Sequence, residues 1–241
     1  MSERSLIRKN HIDRLYQLLD QLEDRVGGKQ QLSDCNGRMD WPEQGIYLFF
    51  APKETRISTD HQRITRVGTY AVSSGSSTTL WNRLIAHRGT FTGKYADGGN
   101  HRGSVFRLRV GEALIEREQM HEKFPKWGTG SSAGSEIRKQ ELEHERRVSD
   151  YIRDLPFLWI NVNDEPGPNS DRASLEQNII ALLSNYNRES IDPRDDDWLG
   201  SHSPSHEIRT SGLWNVNHIK ENYDSSFLSS LETYIERTSS V

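Results

Sequence analysis

Four side chains in this sequence have the types needed to cut a phosphodiester. Tyr47 stands in the apolar run GIYLFF. Arg83 and His87 lie four residues apart in LWNRLIAH. Glu176 is the one acid inside the apolar helical pattern SLEQNIIALL. Hydrolysing a phosphodiester needs an activated water, neutralised phosphate charge and a stabilised leaving oxygen. Arginine is a permanent cation whose planar fork suits phosphate oxygens. A histidine one helical turn further on shares that face and can accept or relay a proton. A phenol titrates near pH ~10, so Tyr47 acts as a base only where Arg83 and a metal lower that value. Mg²⁺ is often held by one or two carboxylates, with phosphates and waters completing its shell, so Glu176 alone suffices for Mg²⁺ or Mn²⁺. Taken singly, each residue has an ordinary reading. Tyr47 could be a core tyrosine, Arg83 and His87 an exposed helix face, and Glu176 a carboxylate favoured at a helix start. Only the ordered combination points to chemistry.

The elements that must position these groups can be read from periodicity. Residues 5–26 carry Leu15, Leu18, Leu19, Leu22 and Val26 at helical spacing, closed by Gly27-Gly28. GIYLFFA is a strand buried on both faces. ITRVGTYAV is a second strand, antiparallel to the first because the connection is short. A serine-rich loop follows, with Thr78 or Thr79 available to cap a helix from Leu80 to about Gly89. FTGKYADGGNHRG is a glycine-rich loop, and SVFRLRV alternates like a third strand. GEALIEREQMHEKF and residues 136–154 are expected to be helical, FLWINVN a strand, and residues 172–186 a helix. The tail from Ser190 is expected to be irregular, with an exposed-looking WLGSHSPSHEIR, closing in a helix over 225–237.

Between residues 45 and 187 the chain resembles the GIY-YIG nuclease superfamily. Gly45-Ile46-Tyr47 matches the first motif, and Arg66-Val67-Gly68 the second with its tyrosine lost. LWNRLIAH fits the arginine helix, and LEQNIIALLSNYN fits the final motif, an acid with an asparagine about three turns on: Glu176 and Asn187, with Asn185 as an alternative. The resemblance implies a fold of α/β class, a small, mainly antiparallel β-sheet flanked by helices. It also implies that Tyr47 hydrogen-bonds to the attacking water with help from His87, that Arg83 contacts phosphate, and that Glu176 holds the metal. Two residues could stand in for the missing tyrosine. Arg66 could meet the scissile phosphate. Tyr70 faces the same way in an extended strand but lies roughly 13 Å further along, at about 3.3 Å per residue. The reading leans to Tyr70, because the superfamily uses a hydroxyl there. Asn100, His101 and Arg102 precede the SVFRLRV run in a loop that could reach a phosphate, or form a polar turn.

The resulting expectation is a free-standing, restriction-endonuclease-like enzyme: a divalent-metal-dependent endonuclease on DNA. Residues 1–40 form a helical arm, 41–190 the nuclease domain with an insertion at 111–155, and 191–241 a C-terminal extension. A catalytically inactive nucleic-acid-binding or scaffold module of the same fold, and an RNA nuclease, remain as rivals. A homodimer is left open. The chain has 241 residues, 33% hydrophobic and 27% charged, with a net charge of −4. No stretch approaches the ~20 apolar residues of a membrane span. The single Cys35 leaves no internal disulfide and fits a reducing, cytoplasmic setting. The net charge shows no basic footprint, but residues 56–109 hold a block of arginines whose only acids are Asp60 and Asp97. That block is read equally as a positive face or an ordinary solvated surface.

Overall fold

The computed structural model describes residues 2–70 and 78–241. Helix α1 (Glu3–Val26) leads to a short strand β1 (Gln30–Gln31), then to strands β2 (Gly45–Thr55) and β3 (Gln62–Gly68) and helix α2 (Leu80–Arg88). Helices α3 (Val105–Glu118) and α4 (Ser135–Arg153) follow, then strand β4 (Pro156–Asn161). Helices α5 (Asp171–Leu183), α6 (His206–Ser211) and α7 (Phe227–Arg237) complete the chain. The strands form one antiparallel sheet in the order β1-β4-β2-β3. The fold is therefore α/β, a small antiparallel sheet flanked by seven α-helices among the described residues.

The centre of the sheet follows directly from the sequence. β2 pairs on both sides, with β3 and with β4, so its continuous apolar run is buried from Gly45 to Ala51. Helix α5 packs on β2 and β3, and α1 and α7 pack against β4. Ser2 caps α1 by accepting from the Ser5 amide at 3.2 Å, and Gly27 ends it in a left-handed conformation, φ 79°. Thr79 caps α2 through the Asn82 amide at 3.2 Å. The C-terminal segment closes the free edge of β3. Trp214 N–H donates to Thr65 O at 2.7 Å, and the Asn215 amide binds both Val67 N and Val67 O. Ile64 N–H, further along the same strand, donates to the Tyr16 hydroxyl at 2.9 Å.

Several expectations are corrected. SVFRLRV is not a strand but the start of α3. Ser104 accepts from Arg107 N–H at 3.2 Å, an N-cap that starts a helix, and Phe106, Val110, Ala113 and Leu114 recur at helical spacing on its buried face. The second strand stops at Gly68, so Tyr70 lies beyond it. Ala71, Val72 and the serine run to Ser77 lie outside the described residues. Helix α5 ends at Leu183, so Asn187 lies past it rather than within it. The reason is Arg8, a buried residue of α1. Its guanidinium takes the carbonyls of Leu182, Leu183 and Ser184 and the Asn185 side chain, closing the helix end. The tail is not irregular throughout. It contains a 3₁₀ turn (Leu199–His202) and α6, and Trp198, Leu199 and Trp214 are buried. Among the described residues no helix is long and apolar enough to cross a membrane.

Candidate active site

Tyr47 stands opposite Gly68 across the β2–β3 pairing. A Cβ on Gly68 would come within 2.2 Å of the Tyr47 hydroxyl, so the phenol fills the space that any other residue at position 68 would claim. The hydroxyl lies 2.7 Å from His87 Nε2, and His87 Nδ1 lies 2.8 Å from Ser104 Oγ. Tyr47 and His87 are both fully buried. Arg107 secures the far end of α2: its Nη1 donates to the His87 carbonyl at 2.7 Å while Glu145 and Ser149 hold the rest of the guanidinium. His87 titrates well below an ordinary imidazole. Burial is the main cause, and the cations Arg83, Arg66 and Arg107 add to it. The imidazole is therefore neutral at physiological pH.

Glu176 projects from the second turn of α5. Its Oε1 accepts the Thr69 N–H at 3.1 Å. Thr69 directly follows the glycine over the Tyr47 hydroxyl, so the carboxylate and the phenol–imidazole pair share one end of the β2–β3 hairpin. Burial pushes the Glu176 carboxyl above its ordinary range, while Arg66, the Thr69 amide, His218 and Arg83 oppose that rise. Arg66 and Arg83 thus act on both Glu176 and His87. Arg66 makes one long contact, Nη1 to Trp214 O at 3.4 Å, and lies over the Phe106 ring. The buried Nε atoms of Arg66 and Arg83 have no acceptor among the described residues. Such buried donors are rare in proteins and suit an anion brought from outside.

Tyr47, Arg83, His87, Glu176 and Arg66 are therefore gathered together. Three other candidates are not. The Tyr70 hydroxyl donates to the Glu43 carbonyl and its ring lies under Arg172, and burial raises its pKa to about 12. The Arg102 guanidinium is closed on Glu141 by bonds of 2.7 and 2.8 Å. Asn187 is exposed, in a left-handed backbone conformation of φ 51°. Its neighbour Asn185 is tied to Arg8 and to the backbone of Ile191. Asn100 and His101 are structural as well. Asn100 caps the 3₁₀ turn His101–Gly103, and His101 bonds to Glu145 and stacks on Trp127. Sequence reasoning missed Ser104, Thr69 and His218. Ser104 carried a signal, because a serine before an apolar helical pattern is a cap. Thr69 acts through its backbone, and His218 reaches the site from the distant tail, so neither left one.

One hard oxygen donor, the Glu176 carboxylate, stands at the site. Among the described residues no cluster of three or more histidine, cysteine or acidic side chains could enclose a metal. A single carboxylate fits a Mg²⁺-type ion that draws its remaining ligands from substrate phosphates and water. It does not fit a closed structural zinc site.

Sheet, helices and this grouping of tyrosine, histidine, arginines and acid define a hydrolytic α/β protein of nuclease type. The family model described as the GIY-YIG domain matches residues 6–241, and the chain belongs to that family. The match extends over nearly the whole chain, beyond the 45–187 segment that carried the resemblance. Comparison with curated proteins and with solved structures returned no match.

Proposed function

We propose that this nuclease-type protein is a divalent-metal-dependent endonuclease that hydrolyses phosphodiester bonds in DNA within the cytoplasm. The observation that carries the reading is the buried 2.7 Å contact between Tyr47 and His87, set beside two arginines with unpartnered Nε atoms and one carboxylate. With the His87 Nδ1 proton on Ser104 Oγ, Nε2 is an acceptor, and the Tyr47 hydroxyl donates to it. The phenol oxygen then keeps its lone pairs for the attacking water, and the neutral imidazole receives the phenol proton as that water is deprotonated. Because Tyr47 and His87 expose no surface, neighbouring side chains must part before water meets the hydroxyl. Arg83 and Arg66 bind the non-bridging phosphate oxygens, where charge grows in the transition state. Glu176 would hold the divalent cation, which when bound supplies charge neutralisation at the phosphate. Arg66, not Tyr70, takes the place of the missing motif tyrosine, since Tyr70 spends its hydroxyl on Glu43.

Supercoiled plasmid incubated with the protein tests this. Nicking or linearisation is expected with Mg²⁺ or Mn²⁺, none with EDTA, and none with Glu176→Ala. Equal cleavage by Glu176→Ala and parent would remove Glu176 from the metal role. Cleavage of a matched RNA in preference to DNA would replace DNA as the substrate.

A further inference from the structure

Beside Arg83 lies a cavity of about 240 Å³. Arg83, Ser104, Val105, Leu108, Gly128 and Gly130 are among the residues that line it. It is continuous with the active site, because Arg83 belongs to both and Ser104 is the partner of His87. The other charged groups on its wall are spoken for. Arg102 is closed on Glu141, and His101 is held by Glu145 and stacked 3.8 Å from Trp127. Arg83 is thus the cation of this lining whose buried Nε has no acceptor among the described residues. In the same lining, Val105 is 46% exposed although it opens a long helix, and Leu108 lies close to the Gly128 backbone. A cation with an unpartnered Nε and two apolar side chains in one lining match a molecule with an anionic end and a flat, weakly polar body. A nucleotide has that form.

We propose that this cavity receives one unpaired nucleotide next to the scissile phosphate, with its phosphate on Arg83 and its base against Val105 and Leu108. The inference rests on the nuclease reading above and narrows its substrate. A base inside a duplex is stacked and paired, and turning it out costs a few kcal/mol, least where it is already unpaired. The substrate class is therefore nucleic acid with an unpaired nucleotide at the cut site, such as a bulge, a flap junction or a single strand.

The test compares two labelled duplexes of the same sequence, one fully paired and one with a single extra unpaired nucleotide. It runs beside binding of deoxythymidine monophosphate followed by saturation-transfer NMR. The parent is expected to cut the bulged duplex at least about tenfold faster and to bind the mononucleotide. Val105→Asp should abolish mononucleotide binding and bring the ratio towards one. It should keep its thermal midpoint, because the position is exposed and an acid suits the first turn of a helix. Leu108→Trp, which fills the cavity, should lower the ratio by steric means. Equal rates on the two duplexes for the parent, or a ratio and binding unchanged in both variants, would overturn the proposal while leaving the nuclease reading intact. Mononucleotide binding that is lost in Val105→Asp, with no cleavage of any substrate, would support the nucleotide site and reject the nuclease reading.

Discussion

Two regions of this protein hold arginines partly or wholly out of solvent, and they treat them in opposite ways. In the block formed by α3 and α4, each buried guanidinium meets a carboxylate. Arg107 binds Glu145 at 2.5 Å, and Arg102 binds Glu141 through both terminal nitrogens. By contrast, Arg66 on β3 and Arg83 on α2 have no ion-pair partner among the described residues, and Glu176, the nearby acid, is bonded to a backbone amide instead. Paired charges hold helices in place. Unpaired charges of both signs, held a short way apart, cost stability and keep their interaction energy for something that arrives later. The difference separates the positive block of the sequence into two kinds of arginine that composition cannot tell apart.

The sharpest way to break this comparison is to remove one arginine from each region. Arg107→Ala takes the guanidinium from buried Glu145, leaving it only the His101 side chain and amide, and should destabilise the fold by about 3–5 kcal/mol, read as a large fall in thermal midpoint. Arg83→Ala should leave the midpoint nearly unchanged and lower the cleavage rate by about 10²- to 10³-fold. Similar losses of stability in the two variants would erase the distinction. Next in size is the contest on the β3 side. Arg66→Ala should slow cleavage by a comparable factor, whereas Tyr70→Phe should stay within about a few-fold of parent, because its hydroxyl serves only a backbone carbonyl. The reverse order in a plasmid assay would return the lost tyrosine's role to Tyr70.

A smaller effect tests whether the unpaired acid is strained. Glu176 has a raised pKa in the fold, so its contribution to stability is present at low pH and is lost as pH rises through the folded value. As pH rises from the ordinary carboxyl range towards 7, its burial costs stability. Glu176→Gln should therefore raise the thermal midpoint at pH 7, and the gain should shrink on approach to pH 4. A gain that is absent, or larger in acid, would contradict the burial argument. The smallest expected effect concerns the shape of a pH profile. His87 titrates well below its ordinary 6.5, so His87→Gln should change the height of the rate profile without removing a limb near that pH.

Much of the architecture around the site is written locally. The unbroken apolar run after Gly45 demands a central strand, Thr79 and Gly89 bracket α2, and the leucines of α1 repeat at helical spacing. The failures come from residues whose partners are distant in sequence. SVFRLRV alternates because Arg107 reads as a solvent-facing position, yet Arg107 is fully buried against Glu145, 38 residues away. The turn at Trp198 and the approach of Asn215 to Val67 depend on contacts spanning most of the chain. The site follows the same rule. Tyr47, Arg83, His87 and Glu176 announce themselves by type and order, Ser104 is legible as a helix cap but not as the partner of His87, and the Thr69 amide and His218 enter only through tertiary proximity.

The side chain of Asn215 has one more effect. Its amide offers β3 one donor and one acceptor, as a neighbouring strand would, and with Trp214 and Tyr16 it occupies groups along that rim from Ile64 to Val67. An open strand edge is a template on which a second chain can align and from which aggregates grow. Here that template is blunted by a residue contributed from near the end of the chain, so the sheet does not lengthen in this direction. Assembly with another copy through β3 would first have to strip Asn215 away. A truncated product that retains Asn215 would still carry this seal, whereas one ending before Trp214 would expose a sticky strand and is expected to precipitate.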